Sequence, residues 1–164
     1  MRIPHAFFIV INPTISLLLR SPFHWIMSKS LMLITFRGRK SGRLYTTPVR
    51  YLQIGSTIRC FTSVENKWWR NLRGGAEVLL RIRGRNIKCR AAATHNEPEK
   101  IRVGLEEFLT HYPQDAAYYS VSIKPGGSRA AHGVETAALN TVMVEASEAT
   151  SSWRGNGFGV GVGR

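Results

Sequence analysis

The chain is short of acid. Ten Asp and Glu stand against 23 Lys and Arg over 164 residues, a formal net charge of +13. Asp115 is the sole aspartate, which removes any mechanism built on two aspartates sharing a proton. Cysteine is nearly missing as well. Cys60 and Cys89 lie far apart and in no metal-type spacing, so a disulfide framework is unsupported. Two separate thiols in strand-like segments fit a reducing, cytoplasmic compartment. His5, His24, His95, His111 and His132 are scattered without a Cys or acid at ligand spacing, so no metal site is expected. No apolar run approaches the roughly 18–20 residues of a membrane span. Phe7–Ile11 comes nearest, but Asn12-Pro13 cuts it short and no small-x-small cleavage site follows. Neither a signal peptide nor a spanning helix is expected, which leaves peripheral membrane contact through an amphipathic N-terminal helix.

What is present points to one folded domain. Hydrophobic residues make up 43% of the chain, with seven Phe, five Tyr and four Trp to fill a core. A single core suits this length. We expect a domain over 1–149 and a disordered Ser/Gly-rich tail over 150–164, where glycine recurs at alternate positions from Gly155. Charge is uneven along the chain. Between Arg37 and Arg90 there are fourteen Lys/Arg and only Glu65 and Glu77 to oppose them. Such a block carries a positive field that attracts phosphates, acidic tails, nucleic acid or anionic lipid.

Local patterns give the order of elements. Asn12-Pro13 and Ser21-Pro22 read as helix starts. Ser30–Phe36 reads as a buried strand, Leu44–Ile54 as a second, and Thr57–Ser63 as its hairpin partner across Gly55-Ser56. Pro48 cannot donate to a ladder, so it marks an edge or a bulge. Lys67–Arg73 suits a short helix ended by Gly74-Gly75. Val78, Leu80 and Ile82 alternate on one strand, and Ile87, Cys89 and Ala91 on the next. A turn at Gly84-Arg85 predicts Ile82 opposite Ile87 and sets Arg81 against Lys88, a like-charge pair. Asn96 is placed to cap a helix whose stripe is Ile101, Leu105, Phe108, Leu109 and Tyr112, with Pro113 as the stop. Val121–Ile123 reads as a weak strand, Pro125–Gly133 as a loop and Ala138–Glu145 as the last strand. Hairpins around one apolar face predict a mainly β fold with flanking helices, a small antiparallel barrel. The absence of βαβ alternation argues against a Rossmann domain.

Chemistry concentrates in Gly38-Arg39-Lys40-Ser41-Gly42-Arg43. Glycines permit a sharp turn whose amides and cations can hold an anion. Arg39 and Arg43 can grip phosphate oxygens in fork geometry, Lys40 can add a point charge and Ser41 a hydroxyl, the alternative being a basic turn that is simply solvated. The order is not that of a nucleotide-binding P-loop. Trp68-Trp69-Arg70-Asn71-Leu72 joins two indoles to a cation and an amide, suited to stacking on a flat ring or to anchoring the helix. From the residues alone a basic nucleic-acid-binding domain stays open, supported by charge and aromatics only.

The stretch Leu33–Val49, with its Gly-Arg-Lys-Ser-Gly and Thr-Pro elements, resembles the signature of the deazaflavin-dependent nitroreductases, and Trp68–Leu72 is similar to that family's Trp-x-x-Asn-Leu element. The resemblance covers about residues 12–124. It implies a split β-barrel that binds coenzyme F420, with FMN as the alternative, and passes a hydride to a quinone or nitro acceptor. Carried over by position, Arg39, Lys40, Ser41, Gly42 and Arg43 would meet the cofactor phosphate. Thr46, Thr47, Pro48 and Val49 would border the cofactor, with Phe61, Thr62 and Ser63 beside its ring. Trp68, Trp69 and Asn71 would close the site. Tyr112 and Tyr118 would face the acceptor, Tyr118 as a proton donor. Asp115 stands where the family places a tyrosine. A flavin-, F420- or haem-binding barrel without turnover is the second reading. The resemblance disfavours nucleic acid and does not fix the oligomeric state.

Overall fold

A computed structural model describes residues 30–119, 121 and 131–149. The expected N-terminal helices, most of the Val121–Ile123 strand and the glycine-rich tail lie outside these residues. Six strands form the framework: β1 (Leu31–Arg37), β2 (Leu44–Ile54), β3 (Thr57–Ser63), β4 (Ala76–Ile82), β5 (Arg85–Thr94) and β6 (Thr141–Glu148). They close into a barrel in the order β1-β2-β3-β6-β5-β4, every neighbouring pair antiparallel. Two helices flank it, α1 (Pro98–His111) and α2 (Ala131–Leu139), and 3₁₀ turns occupy Trp68–Leu72 and Pro113–Asp115.

Alternation along the strands sorts side chains between two cores. Met32, Ile34 and Phe36 of β1, Val78, Leu80 and Ile82 of β4, and Cys60, Cys89, Val142 and Val144 fill the barrel interior. Trp69 and Leu72 join them, so the 3₁₀ turn plugs one end of the barrel. A second core lies outside the wall, where Leu52, Phe61 and Met143 meet Ile101, Leu105, Phe108 and Leu109 of α1 and Val134, Ala137 and Ala138 of α2. Gly104 makes this contact close. A Cβ there would lie 2.9 Å from the Met143 sulfur and 3.3 Å from Phe61 Cζ. Arg59 pins the same helix, donating through Nη2 to Glu145 Oε1 of β6 at 2.8 Å and through Nη1 to Glu107 Oε2 of α1 at 3.0 Å.

Three local expectations are corrected. The β4–β5 turn is Arg83-Gly84, both at positive φ (48° and 78°), the pairing of a two-residue I′ hairpin. Because Arg83 accepts the left-handed conformation, the loop closes one residue earlier than Gly84-Arg85. Partners move by two positions: Leu80 faces Ile87 and Val78 faces Cys89. A shift of two keeps every residue on its face, so the apolar side survives intact. The like-charge pair does not form. Arg81 faces Asn86, to whose Oδ1 it donates at 3.3 Å, and Lys88 faces Leu79. Asn96 is no cap: it sits at φ 64°, and the N-cap position belongs to Glu97, which makes no side-chain cap bond. Finally, Ala131–Leu139 is helical and the last strand begins at Thr141. Ala137 and Ala138 favour helix by propensity, and both are buried in the core shared with α1.

Candidate cofactor and acceptor site

The barrel parts at one seam. β2 and β3 pair only from Tyr51↔Cys60 to Ile54↔Thr57. Further along, β2 stays on β1, with Leu33↔Pro48 and Ile34↔Thr47, while β3 stays on β6. Pro48 therefore stands on a locally free edge, where its missing N–H costs no bond. A cavity of about 230 Å³ opens at this split. Thr47, Pro48 and Val49 form one side, Phe61 and Thr62 the other, and Trp68 also lines it. The segment after α1 completes the lining with Asp115, Tyr118 and Tyr119. Small-molecule pockets commonly run to ~300–1,000 Å³, so this one suits a planar ring system rather than an entire extended cofactor.

The basic turn lies at the far end of the same strand, Arg43 preceding Thr47 by four residues, about 13 Å at ~3.3 Å per residue. It is folded on itself. Gly38 N–H donates to Arg43 O and Gly42 N–H to Gly38 O, each at 2.8 Å, with Gly42 at φ 68°. Arg37 donates through Nη1 to Gly42 O at 2.6 Å. Arg43 N–H reaches Ser41 Oγ at 3.3 Å, and Ser41 Oγ meets the Tyr45 hydroxyl at 3.1 Å. A side chain at Gly38 would press on Ser41 Oγ at 2.7 Å and on the Tyr45 ring at 2.8 Å. Four of the turn's amides are thus spent internally or on Asn71. Any anion held here is held chiefly by the side chains of Arg39, Lys40 and Arg43, which are exposed.

Asn71 ties this turn to the cavity. Its Oδ1 accepts from Arg39 N–H at 3.0 Å, and its Nδ2 donates to Trp68 O at 2.9 Å. Trp68 in turn packs on Phe36, ring centres 5.8 Å apart. The neighbouring indole does something else. Trp69 is 1% exposed and lines no part of the cavity; its Nε1 donates to Val64 O at 3.3 Å. Of the remaining sequence-expected residues, Thr46 Oγ1 pairs with Thr35 Oγ1 at 2.8 Å, Ser63 Oγ accepts from Glu65 N–H at 3.2 Å, and the Tyr112 hydroxyl donates to Tyr51 O at 2.8 Å. These three brace the walls and do not line the cavity.

Three lining residues escaped sequence reasoning, Arg50, Asn66 and Tyr119, and a fourth, Asp115, entered it only as the residue that stands at a family tyrosine. Asn66 donates through Nδ2 to Thr62 Oγ1 at 2.8 Å and is hydrogen-bonded to Tyr118. Arg50 Nε meets Asp115 Oδ2 at 2.7 Å. Burial raises the Asp115 carboxyl above its ordinary range, and Arg50 opposes that rise. Burial also raises Tyr118, partly offset by the Asn66 bond, and lifts Tyr119 well up. Both phenols stay protonated near neutrality. Tyr119 reaches toward Phe61 O at 3.5 Å. Among the described residues no three His, Cys, Asp or Glu gather as a metal site, and no helix is long and apolar enough to cross a membrane.

Comparison with known proteins bears on this arrangement. Among curated proteins nothing matches. Several solved structures are similar at low identity. The protein Atu2129 of unknown function from Agrobacterium tumefaciens str. C58 is 16% identical over 73% of this chain, with a TM-score of 0.49; the match spans 49% of its own length. A FAD-binding protein (mll6688) from Mesorhizobium loti is 11% identical over 79% of this chain and 90% of its own, TM-score 0.49. An F420 reductase is 8% identical over 73% and 86%, TM-score 0.43. At these scores none of them bears on chemistry. The family model described as F420H(2)-dependent quinone reductase matches residues 23–122, more than half of the chain and the whole of the basic turn, the seam and the Asp115–Tyr119 segment. The chain belongs to the F420H(2)-dependent quinone reductase family, and with it to the F420-dependent oxidoreductases.

Proposed function

We propose that this chain reduces a quinone with a hydride from reduced coenzyme F420, the deazaflavin ring lying in the β2–β3 seam and the phosphate on the Gly38–Arg43 turn. The observation that carries the reading is the joint between the two: Asn71 holds the cationic turn at Arg39 and the cavity wall at Trp68. The residues present fit the group. A ring-sized cavity, a set of exposed cations and a strand-length spacer between them match a flat ring joined to an anionic tail.

When bound, the cofactor supplies the hydride. The chain's own residues do the rest. Arg39, Lys40 and Arg43 neutralise the phosphate, with Ser41 as a hydroxyl donor. Thr47, Pro48 and Val49 present one edge of the seam to the ring, and Phe61 and Thr62 the other. Trp68 and Phe61 exclude water from the reacting face, which holds donor and acceptor in register. Tyr118 keeps its proton near neutrality as an ordinary phenol does, and burial raises its pKa further. It hands that proton to the reduced acceptor and regains it from solvent through its exposed flank, 56% accessible overall. Asn66 orients the phenol through its bonds to Thr62 and Tyr118.

The test is a side-by-side titration with F420 and FMN, followed by mixing F420-loaded protein with a quinone and, separately, a nitroaromatic. We expect preference for F420, reoxidation of the reduced cofactor by the quinone, and a loss of F420 affinity of about 10- to 100-fold in Lys40→Ala, the worth of one charge-assisted bond. Equal affinity for FMN, unchanged in the mutant, would remove the assignment.

A further inference from the structure

Arg50 is built into the cavity more firmly than a surface arginine. It projects from the free stretch of β2 on the side opposite the barrel interior, where Tyr51 points inward. Three contacts fix its guanidinium. Nε meets Asp115 Oδ2 at 2.7 Å, Nη1 donates to Ser30 Oγ at 3.0 Å, and the guanidinium carbon sits 5.1 Å from the centre of the Tyr112 ring. The side chains of Arg50 and Asp115 retain 28% and 19% of their exposure, so the pair is half-shielded and not a loose surface bridge. Both residues line the cavity beside Tyr118.

We propose that Arg50 is the residue that reads the acceptor: its guanidinium donates to the carbonyl oxygen of the quinone, and Asp115 is the positioning residue that holds it there. The inference rests on the F420-dependent reading of the same cavity. Its chemistry follows from the pair. Asp115 cancels most of the charge of Arg50, so the site does not favour an anionic substrate. It offers oriented N–H donors to a neutral carbonyl. When hydride is delivered to the far carbonyl oxygen of the quinone, a new O–H bond forms there, the π pairs shift through the ring as it becomes aromatic, the oxygen beside Arg50 takes the negative charge, and the deazaflavin is left oxidised. The oxyanion is born beside a cation already in place, which needs no reorganisation at that moment. Tyr118 then supplies the proton that completes the hydroquinone. A chain with an apolar residue at position 50 would lack this donor and would depend on acceptors whose reduced anions are already stable.

Arg50→Gln, Arg50→Lys and Asp115→Asn test the proposal against a series of quinones of graded hydroquinone acidity. F420 affinity and acceptor binding are measured by titration of the protein, and folding by thermal melting. We expect F420 affinity to stay within twofold in all three variants. Binding of a non-reducible quinone analogue to F420-loaded protein weakens tenfold or more in Arg50→Gln. The kcat of Arg50→Gln falls by about a hundredfold, the usual cost of one oxyanion donor, and falls most for the quinones with the least acidic hydroquinones. Arg50→Lys recovers part of that loss, and Asp115→Asn raises KM more than it lowers kcat. A folded Arg50→Gln with unchanged analogue binding and kcat, or a loss that is the same for every quinone, would overturn the proposal. So would a tenfold loss of F420 affinity with acceptor binding intact, because Arg50 would then belong to the cofactor. Wild-type protein that fails to bind F420 would bring down the underlying reading and this inference with it.

Discussion

Replacing Asn71 with alanine cuts the link between the cationic turn and the cavity wall, and the size of the effect follows from two hydrogen bonds. Arg39 N–H loses its 3.0 Å acceptor and Trp68 O its 2.9 Å donor. A neutral bond contributes a net ~0.5–1.5 kcal/mol, and the exposed Arg39 bond belongs at the low end. The pair together is worth about 1–2 kcal/mol. Spread over a domain of this size, that lowers Tm by only about 3–8 °C. Ligand binding feels the same energy as a smaller population of turns held in the binding geometry. At ~1.4 kcal/mol per tenfold, F420 affinity should fall about 5- to 30-fold. Fluorescence titration of F420 gives the affinity, and melting gives the stability. A double mutant with Lys40→Ala adds a sharper criterion. If Asn71 acts by placing the turn's cations, the two losses are less than additive, because Lys40 is already misplaced in Asn71→Ala. Strictly additive losses, or affinity within twofold of wild type, would refute the idea that the turn is held through Asn71.

Three other outcomes are expected. Gly104→Val drives a branched side chain into Met143 and Phe61, where even a Cβ would lie 2.9 Å and 3.3 Å away; the overpacking should cost about 1–3 kcal/mol by chemical denaturation, and an unchanged midpoint would show that α1 can move off the wall. Trp69→Ala and Trp68→Ala should separate cleanly, the first losing about 3–5 kcal/mol of stability as a core truncation and the second losing F420 affinity with a smaller change in stability, as melting and titration would show. Burial pushes the Cys60 thiol up to about 12 and, with help from Glu148, Cys89 up to about 11, from an ordinary 9.0. The unfolded chain therefore sheds these protons first, so stability is intact below pH 9 and declines as pH rises toward the folded values, by about 1.4 kcal/mol per unit per thiol. Cys60→Ala should flatten the alkaline limb of a pH–stability profile, and a steep limb in that variant would locate the titration elsewhere.

The strands were legible because their signals are local. Leu44–Ile54 and Thr57–Ser63 carry β-rich runs and a glycine turn between them, and both were found with the observed ends. The β4–β5 face was legible too, since alternation survives a two-residue error in register; the turn itself was not, because an arginine at positive φ leaves no mark in composition. The helix at Ala131–Leu139 was not legible despite its alanines, because nine residues are too few to declare a helix without the packing of Val134, Ala137 and Ala138 with α1. Much the same divide runs through the site. Thr47–Val49, Phe61–Thr62, Trp68 and Tyr118 were accessible through motif spacing. Arg50 and Asp115 are 65 positions apart in the chain, and their meeting depends on how the Pro113–Asp115 turn brings the chain back over the seam. Nothing in either residue's neighbourhood announces the other.

Past Tyr51↔Cys60 the β2–β3 ladder stops, so alternate main-chain groups along the two edges, those of Pro48 and Ser63 among them, face the gap with no strand partner across it among the described residues. Such groups cannot be mutated away. Whatever side chains drift through these positions, the peptide donors and acceptors along the gap persist, apart from the one that Pro48 lacks. Recognition that relies on them is inherited with the backbone, whereas recognition that relies on Arg50, Asp115 or Tyr118 can be rewritten by single substitutions. The barrel thereby divides its labour between a permanent half and a tunable half, and selection for a new electron acceptor has only the second to change.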